Sequence, residues 1–205
     1  MDPKVVTSFI LEQTEFKDGF TYNKKSGRKV KAIIPMHTLG NAVDMDGFMA
    51  LCKERNIVVI EDASESLGSE YKGKKTGNIG DLACFSFNGN KIITTGGGGM
   101  ITTNNEAFAK RAKHISTTAK TDAIYFDHDE VGYNYRMVNV LAALGVAQLE
   151  RIDEFVEIKR RNYQKYKDLL GDHPYFFFHN EPSNGKSNCW MYSLVLKENC
   201  PYSVD

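Results

Sequence analysis

The sequence predicts an α/β fold: a mostly parallel sheet with flanking helices, followed by the start of a small α+β unit. Three observations carry this. The apolar runs KAII at 31–34, IVVI at 57–60 and LACFSF at 82–87 are continuous rather than alternating, the pattern of sheet strands covered on both faces. A helix-periodic stretch at 44–55 separates the first two, with Met45, Phe48, Met49 and Cys52 on one side, as a crossover between parallel strands requires. Beyond Gly171 the texture changes to short strand-like runs at 175–178 and 190–196.

Taken in order, residues 5–12 suit a short helix. Residues 16–28 contain Asp18-Gly19 and Ser26-Gly27 and read as a surface excursion. The first strand ends at Pro35, and Asp44 is placed to cap the helix that follows. The strand at 57–60 delivers Glu61 and Asp62 to its carboxyl end, where open α/β sheets bind ligands. Residues 68–80 are turn-rich, and four glycines at 96–99 precede a fourth strand at 100–103. Asn104 or Asn105 caps a helix running to about His114, a long loop spans 117–136, and two helices follow at 138–149 and 152–170. This gives residues 1–150 as part of a large domain, and 151–205 as a connecting helix with an incomplete small domain.

Composition narrows the function. Lys+Arg and Asp+Glu both number 26, so the net charge is zero. That provides no electrostatic argument for nucleic acid or an anionic membrane. No apolar run approaches the roughly 18–20 residues of a membrane span, and the first residues lack the apolar core of a signal peptide. A cytoplasmic location is therefore expected. The four cysteines form no CxxC pair, and Cys52 and Cys84 sit in apolar segments that suit buried thiols. The five histidines show no metal-ligand spacing, so no dedicated metal site is expected.

Two nucleotide motifs fail on inspection. Residues 68–75 match GxxxxGK, but Lys75 stands where a magnesium-binding Ser or Thr belongs and no good helix follows. A charged surface turn is the better reading. The glycines at 96–99 do not form GxGxxG and mark a tight turn or a close backbone approach. Asp62, Ser86 and Lys91 offer more. A lysine for a Schiff base, an acid for a pyridine nitrogen and a hydroxyl for a phosphate are the parts that pyridoxal phosphate chemistry uses. Taken singly, each residue is as well explained by a solvated amine, a capped turn or a strand-end hydroxyl.

Longer stretches change that balance. IEDASESLG at 60–68, YKG at 71–73 and GDLACFSFNGNKIITTGGGGM at 80–100 resemble the DegT/DnrJ/StrS family of sugar-nucleotide aminotransferases. PMH at 35–37, Gly40, DMD at 44–46, GYNYRM at 132–137 and AALGVAQLE at 142–150 extend the likeness over roughly residues 30–170. The asparagine-containing SFNGNK resembles the branch acting on UDP-4-keto-6-deoxy-N-acetylglucosamine. The resemblance implies a partial type I aminotransferase fold with pyridoxal 5'-phosphate as cofactor. It implies transfer of an amino group from L-glutamate to the C4 ketone of a nucleotide-linked sugar.

In that scheme Lys91 carries the cofactor and shuttles the proton, and Asp62 pairs with the pyridine nitrogen. Glu65 stands near the ring hydroxyl and Ser86 binds the phosphate. Asn134 reaches the phosphate in a neighbouring subunit, since the family forms homodimers with shared active sites. Arg136 serves the same interface, and His37 matches a family position that also suits a structural histidine. The chain departs from the family in length. The first third, with its phosphate cradle and ring-stacking aromatic residue, and part of the C-terminal domain are not represented. Weak or no cofactor binding and self-association are expected in consequence, with a catalytically inactive remnant or interaction module as the alternative function.

Overall fold

The computed structural model describes residues 1–122 and 124–203. Helix α1 (Pro3–Gln13) starts with Pro3 in its first turn and with Asp2 as cap, whose carboxylate accepts from the Lys4 amide at 2.8 Å. Residues 14–23 form a hairpin, β1 (Thr14–Lys17) and β2 (Phe20–Asn23), where an irregular excursion was expected. Asp18 and Gly19 both take positive φ at its tip, the conformation of a two-residue hairpin turn. Strand β3 (Ala32–Ile33) leads through a single 3-10 turn, Thr38–Gly40, to α2 (Asp46–Glu54). Asp44 does not cap α2. Its carboxylate instead accepts from the Tyr71 hydroxyl at 2.7 Å, and no side chain caps this helix.

Strand β4 (Val58–Asp62) precedes the hairpin β5 (Glu70–Tyr71) and β6 (Lys74–Lys75). Lys72 and Gly73 at its tip have positive φ, so the GxxxxGK stretch is a charged β-turn. Next come β7 (Leu82–Ser86), β8 (Gly99–Thr102) and α3 (Glu106–Ser116). The Asn105 side chain caps α3 by accepting from the Ala107 and Phe108 amides. Helices α4 (Asn139–Leu149) and α5 (Ile152–Leu170) are followed by β9 (Phe176–Phe178), β10 (Gly185–Lys186) and β11 (Leu194–Leu196).

The main sheet has the order β3-β4-β7-β8. The first three strands are parallel, and β8 runs antiparallel to β7. The glycine run permits this reversal: Gly96 and Gly98 have positive φ, and a Cβ on Gly99 would lie 2.3 Å from the Phe85 carbonyl oxygen. The core lies where α1 and α2 meet one face of the sheet, built on Ile10, Met45, Phe48, Cys52, Ile57 and Val59. Burial there pushes the Cys52 thiol up to about 11.

The opposite face of the sheet is open, although the continuous apolar strands predicted cover on both sides. Ile101 of β8 is exposed there, and its partner Cys84, expected to be buried, is exposed as well; Met100, on the other face of this edge strand, is also exposed. No residue of the apolar helix α4 is buried. An open hollow of about 990 Å³ lies beside this face, lined in part by Cys84, Phe85, Met100, Val138 and Leu141. Contacts also cross the expected division at residue 150: β10 joins the β5–β6 hairpin, pairing Gly185 with Tyr71.

Candidate active site

Parallel pairing sets the face on which each acid projects. Glu61 is in register with Ala83, and Asp62 with Cys84, so the two neighbouring acids point to opposite sides of the sheet. Asp62 shares its face with Cys84 and, two residues further along β7, with Ser86. Asp62 is half-buried, and its carboxylate accepts from the Ser64 amide at 3.1 Å in a local turn. Ser86 is also half-buried, with its hydroxyl 3.4 Å from the Asn88 amide.

Lys91 follows β7 in a turn held by its own amide, which donates to the Asn88 carbonyl. Its amine lies 3.7 Å from a Glu65 carboxylate oxygen, and the two side chains are only 13% and 15% exposed. The other Glu65 oxygen accepts from the Leu39 amide at 2.7 Å. Leu39 takes a left-handed φ of 54° to present that N–H, a conformation that costs a leucine about 1–2 kcal/mol. The amine also sits 4.4 Å from the Trp190 ring centroid.

The other acid, Glu61, is fully buried and surrounded by donors. One oxygen accepts from the Ile79 and Gly80 amides, each at 2.7 Å, and the other from Gly77 at 2.7 Å and His37 Nε2 at 2.9 Å. The Val43 amide donates to His37 Nδ1 at 3.1 Å. That assigns the histidine as the neutral Nε2–H tautomer. Burial alone would raise the Glu61 carboxyl, but the hydrogen bonds from His37, Gly80, Gly77 and Ile79 outweigh it and hold the group below its ordinary value. His37 is thus a structural residue. Its backbone amide donates to the Asp62 carbonyl at 3.0 Å, which ties the loop carrying Leu39 to the strand carrying Asp62.

The structure therefore brings Glu65 and Lys91 together, with Asp62 and Ser86 on adjacent strand ends. Asn134 lies elsewhere. It is exposed, its backbone bridges Thr117, and it lines the open hollow with Arg136. That hollow is lined by none of Asp62, Glu65, Ser86 or Lys91. Among the described residues, His114, Asp129 and Glu130 form one group of metal-ligand type, but the Arg111 guanidinium is bonded to both Glu130 oxygens.

Sequence reasoning missed Asn188 and Trp190. Asn188 is fully buried and its side-chain nitrogen donates to the Glu65 and Leu67 carbonyls at 3.0 and 2.9 Å. The signal available was an asparagine close to the single tryptophan of the chain, in a polar stretch. Gly40 shows how tightly this asparagine is seated: at φ +84°, its Cβ would lie 2.0 Å from Asn188 Oδ1. Gly40→Ala is expected to cost about 2 kcal/mol or more, from left-handed strain plus displacement of Asn188. A lowered urea midpoint with a red shift of tryptophan emission is the expected result, and an unchanged midpoint would contradict this packing.

Comparisons with known proteins bear on this arrangement. The model of the DegT/DnrJ/EryC1/StrS aminotransferase family matches residues 2–204. EpsN of Bacillus subtilis (strain 168), whose name describes a pyridoxal phosphate-dependent aminotransferase, is 43% identical over 182 residues, covering 88% of this chain and 47% of EpsN. A GDP-perosamine synthase of Escherichia coli O157:H7 is 41% identical, over 85% of this chain and 47% of that protein. A UDP-4-amino-4,6-dideoxy-N-acetyl-beta-L-altrosamine transaminase of Campylobacter jejuni (serotype O:23/36, strain 81-176) is 36% identical, over 84% and 46%. Among solved structures, E. coli GDP-4-keto-6-deoxy-D-mannose-3-dehydratase with bound hydrated PLP superposes with a TM-score of 0.76 at 27% identity, covering 84% of this chain and 48% of that one. The chain spans about half the length of the curated relatives it matches.

Proposed function

Because this chain belongs to the DegT/DnrJ/EryC1/StrS aminotransferase family, we propose that it carries the lysine-bearing part of a pyridoxal phosphate-dependent site that aminates a nucleotide-linked 4-keto-6-deoxy sugar, with L-glutamate as donor. The observation that carries this reading is the Lys91 amine, largely shielded from solvent and 3.7 Å from Glu65, beside strand ends that present Asp62 and Ser86 on one face.

The donor set suits the cofactor. Lys91 has a primary amine for its aldehyde, Asp62 and Glu65 supply carboxylates, and Ser86 offers a hydroxyl whose hydrogen bond within the chain is long at 3.4 Å. Pyridoxal phosphate, when bound, supplies the carbonyl that accepts an amine and the electron-poor ring that stabilises a carbanion. Lys91 Nζ would accept and return the proton at the reacting carbon. The Asp62 carboxylate would hold positive charge at the ring nitrogen. Glu65, oriented by the Leu39 amide, fixes the amine from one side, while Trp190 excludes water from another. Ser86 binds phosphate.

In the same reading the enzyme is a cytoplasmic homodimer. The exposure of Asn134 and Arg136 on the open hollow supports their reaching toward a neighbouring subunit. No helix among the described residues is long and apolar enough to cross a membrane. The names of the relatives span GDP- and UDP-linked sugars, so both substrates enter the test. Chain loaded with pyridoxal phosphate is mixed with L-glutamate and the cofactor spectrum followed. GDP- and UDP-linked 4-keto-6-deoxy sugars are then offered and the amino sugar is sought by mass spectrometry. A spectral change with glutamate that either sugar reverses is the expected result. No change with glutamate would overturn the aminotransferase reading of this chain and favour a scaffold without activity.

A further inference from the structure

We propose that residues 187–190 form a positioning element for Lys91, with Trp190 holding the amine and Asn188 anchoring Trp190. This deepens the reading of Lys91 as the cofactor lysine and rests on it for its functional meaning. The geometry stands by itself.

The element begins at α5. Arg160, paired with both oxygens of Glu181, donates to the Ser187 carbonyl at 2.6 Å, and the Ser187 amide donates to Glu181 at 2.6 Å. Asn188 then spends its hydrogen-bonding groups on the loop that carries Glu65. Its Nδ2 donates to the Glu65 and Leu67 carbonyls, and its amide donates to Ser69 Oγ at 2.9 Å. Ser69 Oγ in turn donates to the Gly40 carbonyl at 2.7 Å. The Asn188 Oδ1 accepts from the Trp190 amide at 2.9 Å. Between them Cys189 takes a left-handed φ of 50°, which a cysteine adopts only when its neighbours hold it there.

Trp190 meets the site at two points. Its indole Nε1 donates to the carbonyl of Asn90, the residue before Lys91, at 2.7 Å, and its ring lies 4.4 Å from the Lys91 amine. The face of an indole attracts an ammonium group, so the amine is held as well as covered. Glu65 and Lys91, on different loops, are thereby tied to one segment by hydrogen bonds that span 100 or more residues of chain. Trp190 acts through Lys91 and is a positioning residue.

The test needs no cofactor, so its outcome is separate from that of the aminotransferase reading. The 205-residue chain is treated with limiting acetic anhydride, and the modification of each lysine is followed by mass spectrometry. Lys110, exposed on α3, serves as the internal reference. Lys91 is expected to react several-fold more slowly than Lys110 in the wild type. Trp190→Leu is expected to raise the Lys91:Lys110 ratio roughly three- to tenfold, in line with losing a shielded cation–ring contact. Trp190→Phe, which keeps a ring, should stay within about twofold of wild type. Because Trp190 is the single tryptophan, Asn188→Ala is read directly as a red-shifted emission with greater acrylamide quenching. Equal rates at Lys91 and Lys110 in the wild type would overturn the proposal even if the leucine variant fails to fold. So would a ratio that Trp190→Leu leaves unchanged.

Discussion

Lys91→Ala is expected to abolish covalent capture of pyridoxal phosphate while leaving the fold intact. Borohydride reduction of the wild-type chain with cofactor should place the label on Lys91, and the variant should show only scattered labelling of surface lysines. Any transamination should fall by at least about 10³-fold, since the proposed attachment point and proton carrier are both removed. Lys91→Arg should fail equally, because a guanidinium retains the charge but offers no primary amine to a carbonyl. Lys91→Ala should lower stability by about 1–3 kcal/mol, because both members of the pair are largely shielded and the variant leaves the Glu65 carboxylate without its counter-charge. Glu65 keeps its bond from the Leu39 amide in either variant. Equal labelling of wild type and Lys91→Ala would remove Lys91 from the site.

Glu61→Gln should produce the largest loss of stability. The carboxylate receives four hydrogen bonds with no exposure to solvent. A glutamine replaces one acceptor oxygen with an NH₂, which must then face either the Gly77 and His37 donors or the Ile79 and Gly80 donors. His37 cannot turn acceptor at Nε2 without giving up the bond from Val43 at Nδ1. Two buried donors left without partners cost about 3 kcal/mol together, or roughly 1.5 M in urea midpoint for a chain of ordinary denaturant sensitivity. The sign with pH follows from the lowered carboxyl. The folded state binds this proton less readily than the unfolded chain, whose value is near 4.5. The stabilisation is therefore complete above that pH and is lost as pH falls through the lower folded value. The gap between wild type and Glu61→Gln should narrow toward acid. Equal midpoints at pH 7, or a gap that widens toward acid, would show that the network is misassigned.

Both variants test residues whose legibility in the sequence differs. Lys91, Asp62 and Ser86 could be singled out because each follows or ends a recognisable apolar strand, and that position is a local property. Glu65 came from its place three residues after Asp62 in the family pattern, and its contact with Lys91 emerged only in the fold. Glu61 was visible as a strand-end acid, but nothing local distinguished it from Asp62. The distinction arises from the alternation of a strand: one acid is turned into the packed side, the other to the open side. Asp44 illustrates the reverse error. It has the chemistry of a helix cap, yet the Tyr71 hydroxyl, more than twenty residues away, engages it instead.

Alone, the sequence indicated the helices, the apolar strands, a charged turn within 68–75 and the residue types that suit pyridoxal phosphate chemistry. Periodicity and turn chemistry act between residues a few positions apart, so these features can be read locally. Only the tertiary structure decided that β8 reverses direction, that the face bearing Cys84 and Ile101 lies open, and that His37 seals Glu61. It also decided that Asn188 returns to the loop carrying Glu65 and Trp190 to Lys91. Those outcomes depend on which surfaces meet across some twenty to more than a hundred residues of chain, and the close fit of Asn188 against Gly40 has no counterpart in any local pattern.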